Sequence, residues 1–297
     1  FSTTRISLSY MDLFTYEMAL SSQDNIVYDF NKTKLLCRAP NVTQVTFPAT
    51  LTEIADDAFY HCTSLGGTVI LPANLKTIGG SAFSNCNKVD AFDFSQCTKL
   101  TSIEGRAFSS CTKITAMNLP ASLETIAASA FSGCTNLTTL TVDAANTHLS
   151  SQDNIVYDSG KTKLLCCTPN VTQVTFPATL TEIADGAFCY CPGLTEVHFP
   201  ASLTKIGISA FAGCREITGT VVMPANLKTI GNCAFHNCDK VDAFDFTQCT
   251  QLTSIGGQAF QTYKADAVFT VKAGGNIKNL LLNSQSGIKT SQITEVP

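Results

Sequence analysis

The chain has 297 residues, of which 44% are hydrophobic and 14% charged, a balance that supports a packed body and excludes intrinsic disorder. Its net charge of −4 supplies no basic stripe for nucleic acid and no attraction to an anionic membrane surface. No apolar run approaches the roughly 18 residues of a membrane span, so the chain is not expected to cross a membrane.

The chain opens on Phe1 with no basic-then-apolar signal ahead of it, which reads as a mature form whose targeting segment is absent. Residues 1–46 read as an N-terminal cap or partial repeat with a β-hairpin. Within them, Met11 to Leu20 mixes aromatics and charges, and the sequence leaves a cap and a truncated unit both open. Beyond residue 46 an Ala-Phe pair recurs with its phenylalanine at Phe59, Phe83, Phe108, Phe131, Phe188, Phe211, Phe235 and Phe260. The intervals are 24, 25, 23, 57, 23, 24 and 25 residues. A period of about 20 to 29 residues with Leu or Ile at fixed offsets is the signature of a leucine-rich-repeat solenoid. One coil cannot bury its own apolar face, so the repeated residues are committed to stacking.

Each unit holds a short near-alternating stretch, such as Leu194 to Phe199, which predicts a half-buried strand. A proline then ends it, and a Leu-x-x-Ile segment is expected to run back along the other side. Ala-Phe-x-x-Cys follows as a tight turn or single helical turn that drives Phe and Cys inward. Cys62, Cys86, Cys111, Cys134, Cys191, Cys214 and Cys238 share one phase, three residues after the repeat Phe. They are read as a column of free core thiols, because Cys behaves as a small buried hydrophobe. Residues 94 and 246 begin two longer units, in which Cys97 and Cys249 take the usual Asn/Cys position of a leucine-rich pattern.

Repeats 1–4 thus span 47–141 and repeats 5–8 span 176–270. The 57-residue gap contains an inserted segment, 142–175, whose two β-prone runs about Ser159-Gly160-Lys161-Thr162 predict a hairpin stitched into the solenoid sheet. A longer duplication overlies the short one: residues 22–29 recur as 151–158, and 41–48 as 170–177. The last unit has Gln261-Thr262-Tyr263 where Cys is expected, and 271–297 reads as a polar C-terminal cap or tail.

The pattern Leu-Pro-x-x-Leu-x-x-Ile-(Gly)-x-x-Ala-Phe-x-x-Cys-x-x-Leu resembles the BspA-type leucine-rich repeat of bacterial surface proteins, over about residues 22 to 270. Gly79, Gly207 and Gly231 take that family's usual Gly position, while Ala55, Ala127 and Ala184 replace it. The resemblance implies a right-handed, mostly β solenoid with short helical or 3-10 turns, forming a single elongated domain. It also implies a cell-surface or secreted protein that binds other proteins, with host extracellular matrix proteins among the expected partners. It brings no catalytic residues and no cofactor.

No catalytic constellation is found by sequence either: there is no G-x-S-x-G elbow, phosphate-cradling glycine loop or H-E-x-x-H pair. Zinc sites want two close ligand pairs, and Cys233/Cys238 stands alone with Cys238 inside the core column, so no metal site is expected. The polar strand positions should instead project together as a mildly acidic recognition face. Its candidate residues are Asp90, Asp93, Asn118, Thr139, Thr141, Gln173, Thr175, Glu196, His198, Asp242 and Asp245, with the two Asp pairs as foci. Roughly ten strands about 4.8 Å apart would make a face on the order of 50 Å long, enough for a protein interface. A glycan-binding module is the alternative; the lack of Trp and the commitment of most Phe to the core weigh against it.

Overall fold

In the computed structural model, residues 20–23, 26–38, 41–261 and 263–297 are described. The Met11 to Leu20 segment lies almost wholly outside them. The fold is a leucine-rich-repeat solenoid in which, among the described residues, helix is confined to Ile277–Asn283 and the 3-10 turn Thr290–Gln292.

The most continuous ladder runs through the Leu-x-x-Ile segments. Glu53–Ile54, Thr77–Ile78, Ser102–Ile103 and Thr125–Ile126 pair in parallel, two residues wide. Each Ile turns inward and the residue before it stays at the surface, as the two-residue period of a strand requires. An antiparallel three-stranded meander, Leu20–Gln23, Ile26–Asp29 and Lys34–Arg38, opens this sheet and passes it to Glu53–Ile54. The second half repeats the arrangement with Leu149–Gln152, Ile155–Asp158 and Lys163–Cys167, followed by Glu182–Ile183, Lys205–Ile206, Thr229–Ile230 and Ser254–Ile255. The predicted hairpin at 154–167 is therefore two strands of a three-stranded meander. Its loop is held by Asp158, whose Oδ1 accepts the Thr162 and Lys163 N–H groups at 2.6 and 2.9 Å, and Asp29 does the same for Thr33 and Lys34.

The second meander is buried on both faces. Leu149, Val156 and Cys166 pack into the core of the first half, while Ile155, Tyr157, Leu164 and Cys167 pack into that of the second. Ser151 Oγ and Asn154 Oδ1 accept the backbone N–H groups of Val142 and Leu140, at 2.9 and 3.2 Å, tying the last strand of the first half onto it. In the first meander only the inner face, with Ile26, Tyr28 and Leu35, is fully buried; Val27 is half-buried and Cys37 exposed.

Ala-Phe-x-x-Cys is a tight turn, not a helical one. In most units the residues two before and two after the Phe hold left-handed φ, for instance Ser81 at 53° and Asn85 at 62° around Phe83. Alternate N–H groups consequently point along the stack: Ser81, Phe83 and Asn85 donate to Gly105, Ala107 and Ser109 of the next coil at 2.9, 2.7 and 2.8 Å. The phenylalanines form two stacked columns with centroids 4.9 to 5.8 Å apart, Phe59 to Phe131 and Phe188 to Phe260. The thiol column does more than fill space. Cys86, Cys111, Cys134, Cys214 and Cys238 each donate to the carbonyl of the Phe one coil earlier, at 3.0 to 3.3 Å. Glycine is required after Ile78, Ile206 and Ile230, because a Cβ on Gly79, Gly207 or Gly231 would meet the backbone of the preceding coil at 2.6, 2.6 and 2.5 Å.

On the opposite side, the expected continuous face is broken. Gly66–Ile70 pairs with Lys88–Asp93, and Ala116–Leu119 with Thr139–Val142. Gly219–Val222, Val241–Asp245, Val268–Lys272 and Ile293–Val296 make a four-stranded sheet. Leu194 to Phe199 buries Leu194 and Val197 but forms no strand; the Thr195 N–H and hydroxyl donate to the Thr172 carbonyl, and the Thr218 N–H to that of Thr195.

The C-terminal segment is more apolar than the sequence reading supposed. Ile277, Leu281 and Ile288 are buried against the last coil. Ser286 Oγ accepts the Phe260 N–H at 3.0 Å, supplying the acceptor that a following coil would have provided.

Candidate functional site

The strand face carries the candidate residues on segments whose register explains their spacing. Asp90 and Asp93 lie three apart, which strict alternation would send to opposite sides. A bulge reconciles them: Gly67 faces Val89 and Thr68 faces Ala91, so Asp90 is skipped. Val89 and Phe92 point inward, leaving Asp90 exposed and Asp93 half-exposed. Val241–Asp245 repeats the device, with Asp242 skipped between Val241 and Ala243.

The acidic foci are largely occupied. Asp90 pairs with Lys113 at 2.5 Å and Asp242 with Lys264 at 2.7 Å. The Lys264 ammonium, by hydrogen bond and charge, holds the Asp242 carboxyl below the usual carboxylate range. Asp93 and Asp245 are turn caps: their Oδ1 atoms accept the Ser95 and Thr247 N–H groups, both at 2.8 Å. The Ser95 backbone and side-chain hydrogen bonds lower the Asp93 carboxyl likewise. In each focus one carboxylate is thus paired with a lysine, while the other is a turn cap that keeps its charge.

The structure gathers Asp93, Asn118 and Thr141 around one groove of about 630 Å³, crossing three coils at the end of the strands. Its floor includes Leu119, Pro120 and Val142. Thr141 donates its hydroxyl to Asn118 Oδ1 at 2.7 Å, aligning the two side chains across neighbouring strands. Thr139 lies on the same strand as Thr141 and is likewise exposed. The other candidates do not line this groove. Glu196 and His198 face each other at 3.3 Å, and His198 borders a separate hollow of about 200 Å³ with Val222. Gln173 and Thr175 are exposed on the strand-free stretch 171–177.

Sequence reasoning missed Asp143, which lines the groove and caps Ala145 N–H at 2.8 Å, because 142–175 was assigned to the insertion. It also missed Ile70 and Val222, exposed at 53% and 42% and paired in register with Asp93 and Asp245. The signal was present: Val69-Ile70-Leu71 and Val221-Val222-Met223 place an apolar residue where alternation calls for a polar one. A second groove, of about 760 Å³, lies on the turn side and is lined by Arg38, Tyr60, Asn85 and Arg106. Among the described residues no group of three His, Cys, Asp or Glu side chains is placed to hold a metal ion, and no helix is long and apolar enough to cross a membrane.

None of the curated proteins matches the chain. Among solved structures, it is similar to the pneumococcal vaccine antigen PcpA, with a TM-score of 0.59 and 18% identity over 93% of this chain and 96% of that one. A leucine-rich repeat protein from Eubacterium ventriosum gives 0.58 and 16% identity, covering 84% and 85%. At such identities the likeness is one of fold. The sequence pattern of the BspA-type leucine-rich repeat region matches residues 32–157 and 161–289, in 6 copies. With nearly the whole chain inside those limits, this protein belongs to the BspA-type leucine-rich repeat family.

Proposed function

We propose that the chain is a non-enzymatic protein-binding module that acts at the bacterial cell surface or outside the cell and adheres through its strand face. The observation that carries this reading is the groove of Asp93, Asn118, Thr141 and Asp143, open along the face and floored by apolar side chains. Exposed Ile70 and Val222 add apolar contact points beside hydroxyls and carboxylates, the mixture of an apolar centre and polar rim that protein interfaces use. Host extracellular matrix proteins are the first partners to test. Purified chain should bind at least one of them saturably, and Thr141→Arg should weaken that binding at least tenfold with the unfolding midpoint unchanged. Absence of saturable binding to any, or binding indifferent to Thr141→Arg, would refute the reading.

One observation favours a glycan-binding second reading. On the turn side, Tyr60 is 45% exposed beside Arg38, whose guanidinium donates to the Tyr60 carbonyl at 2.8 Å, and the groove there is rich in hydroxyls. Array binding lost in Tyr60→Ala and retained in Thr141→Arg would support that reading over the first.

A further inference from the structure

We propose that Cys167 and Cys191 form a disulfide bond that clips the inserted meander to the first coil of the second half. Their sulfurs lie 3.4 Å apart and both side chains are buried. They belong to adjacent layers of one stack. Layers spaced at about 4.8 Å fall within the roughly 4.4–6.8 Å between Cα atoms that a disulfide accepts.

Two further observations single out this pair. Most of the column is engaged elsewhere: Cys86, Cys111, Cys134, Cys214 and Cys238 donate to a Phe carbonyl at 3.0 to 3.3 Å. Cys167 also donates to the Ala187 carbonyl at 3.2 Å, but Cys191 has only a long contact of 3.8 Å to the Thr168 carbonyl, so its closest polar neighbour is the Cys167 sulfur. The pair is also peculiar to the second half. The long duplication, which sets residues 22–29 on 151–158, sets Arg38 and Cys62 on Cys167 and Cys191. The first half keeps one thiol of the two and puts a guanidinium in place of the other, so the fold itself does not demand the dithiol.

The chemistry needs an oxidant, and a low-molecular-weight disulfide suffices. One cysteine thiolate attacks it, releasing one small thiolate and leaving a mixed disulfide on the protein. The second cysteine thiolate then attacks the protein sulfur and releases the other. Two thiols lose two protons and two electrons, and the small disulfide becomes two small thiols. Because both sulfurs are buried in the finished fold, the exchange occurs while the second half is closing. The bond spans 24 residues, including the 171–177 stretch that no strand pairing restrains.

The test is to refold the chain with a glutathione redox couple or with excess reductant, block free thiols in denaturant with iodoacetamide, and map the fragments by mass. Trypsin leaves both cysteines in residues 164–205, so cleavage after Glu182 is needed to part them. The expected result is a cross-link between the two fragments with Cys166 and Cys189 alkylated and Cys167 and Cys191 not. The oxidised chain should also melt several degrees above the reduced one, and Cys167→Ser should lose that difference. Alkylation of all four thiols, a cross-link through Cys166 or Cys189, or an oxidative shift that survives Cys167→Ser would each overturn the proposal.

Discussion

Replacing Phe211 with Ala should be among the most damaging single changes in this chain, and the stack says by how much. The ring is fully buried, lies between Phe188 and Phe235 at 5.0 and 5.1 Å with planes 5° apart, and meets Phe199 edge-on at 5.7 Å. Truncating a buried Phe costs about 3–5 kcal/mol in lost transfer and cavity energy. Each close ring pair adds about 0.5–1.5 kcal/mol, so two stacked neighbours bring the total to about 4–8 kcal/mol. Phe131 ends its column with a single stacked neighbour, Phe108, at 5.8 Å, so Phe131→Ala should cost less by one ring pair, about 0.5–1.5 kcal/mol. Because stability in a solenoid is a sum over coils and their interfaces, the loss should appear locally. Urea unfolding followed by far-UV circular dichroism, with hydrogen exchange on the coils around 188, 211 and 235, measures both size and place. A loss under about 2 kcal/mol, below the range for a buried Phe, or equal effects of the two variants, would refute the column as a main source of cohesion.

Other consequences are as direct. Gly207→Ala places a methyl 2.6 Å from the Ala184 carbonyl carbon and should lower the thermal midpoint, by about 1–3 kcal/mol of overpacking; Ala184→Gly should do far less. Glu182 is partly desolvated, which raises its carboxyl, but hydrogen bonds and charge from Lys163 and Lys205 bring it below the ordinary 4.5. A depressed folded value contributes stability that is present above 4.5 and lost as pH falls through the lower folded value, so acid unfolding curves of Glu182→Gln should be flatter below pH 4.5. Under reducing conditions, a native thiol titration with an aromatic disulfide reagent should find exposed Cys37 first and half-exposed Cys189 and Cys233 later. Burial pushes the Cys189 thiol up to about 11, which slows it further, and the remaining thiols should react only on unfolding.

The stacking was legible because each coil repeats the same demand on the same positions: Phe and Cys at fixed phase have no alternative but to face inward. The strand assignment was less legible. Leu-x-x-Ile offers only two residues to a ladder, too few for periodicity to register, while Leu194 to Phe199 alternates without pairing. The candidate face was read as mildly acidic from the Asp90/Asp93 and Asp242/Asp245 pairs. The lysines that pair with Asp90 and Asp242, Lys113 and Lys264, sit one coil away, at sequence separations that local pattern reading does not connect. Asp93 and Asp245 are followed two residues later by Ser95 and Thr247, a local turn signature that could have marked them as caps. The C-terminal apolar cap was hidden among polar residues, since Ile277, Leu281 and Ile288 follow no repeat phase.

The two-sided meander at 149–167 acts as a bulkhead. Each compartment of hydrocarbon on either side is finished by a surface that belongs partly to the next block, so a block need not carry a water-tolerant end of its own where another follows. A gene encoding such a chain can gain or shed whole blocks by recombination, and the junction stays sealed because the incoming block brings its own partition. The length of the stack can then change in steps of a block while the packing inside every block stays the same.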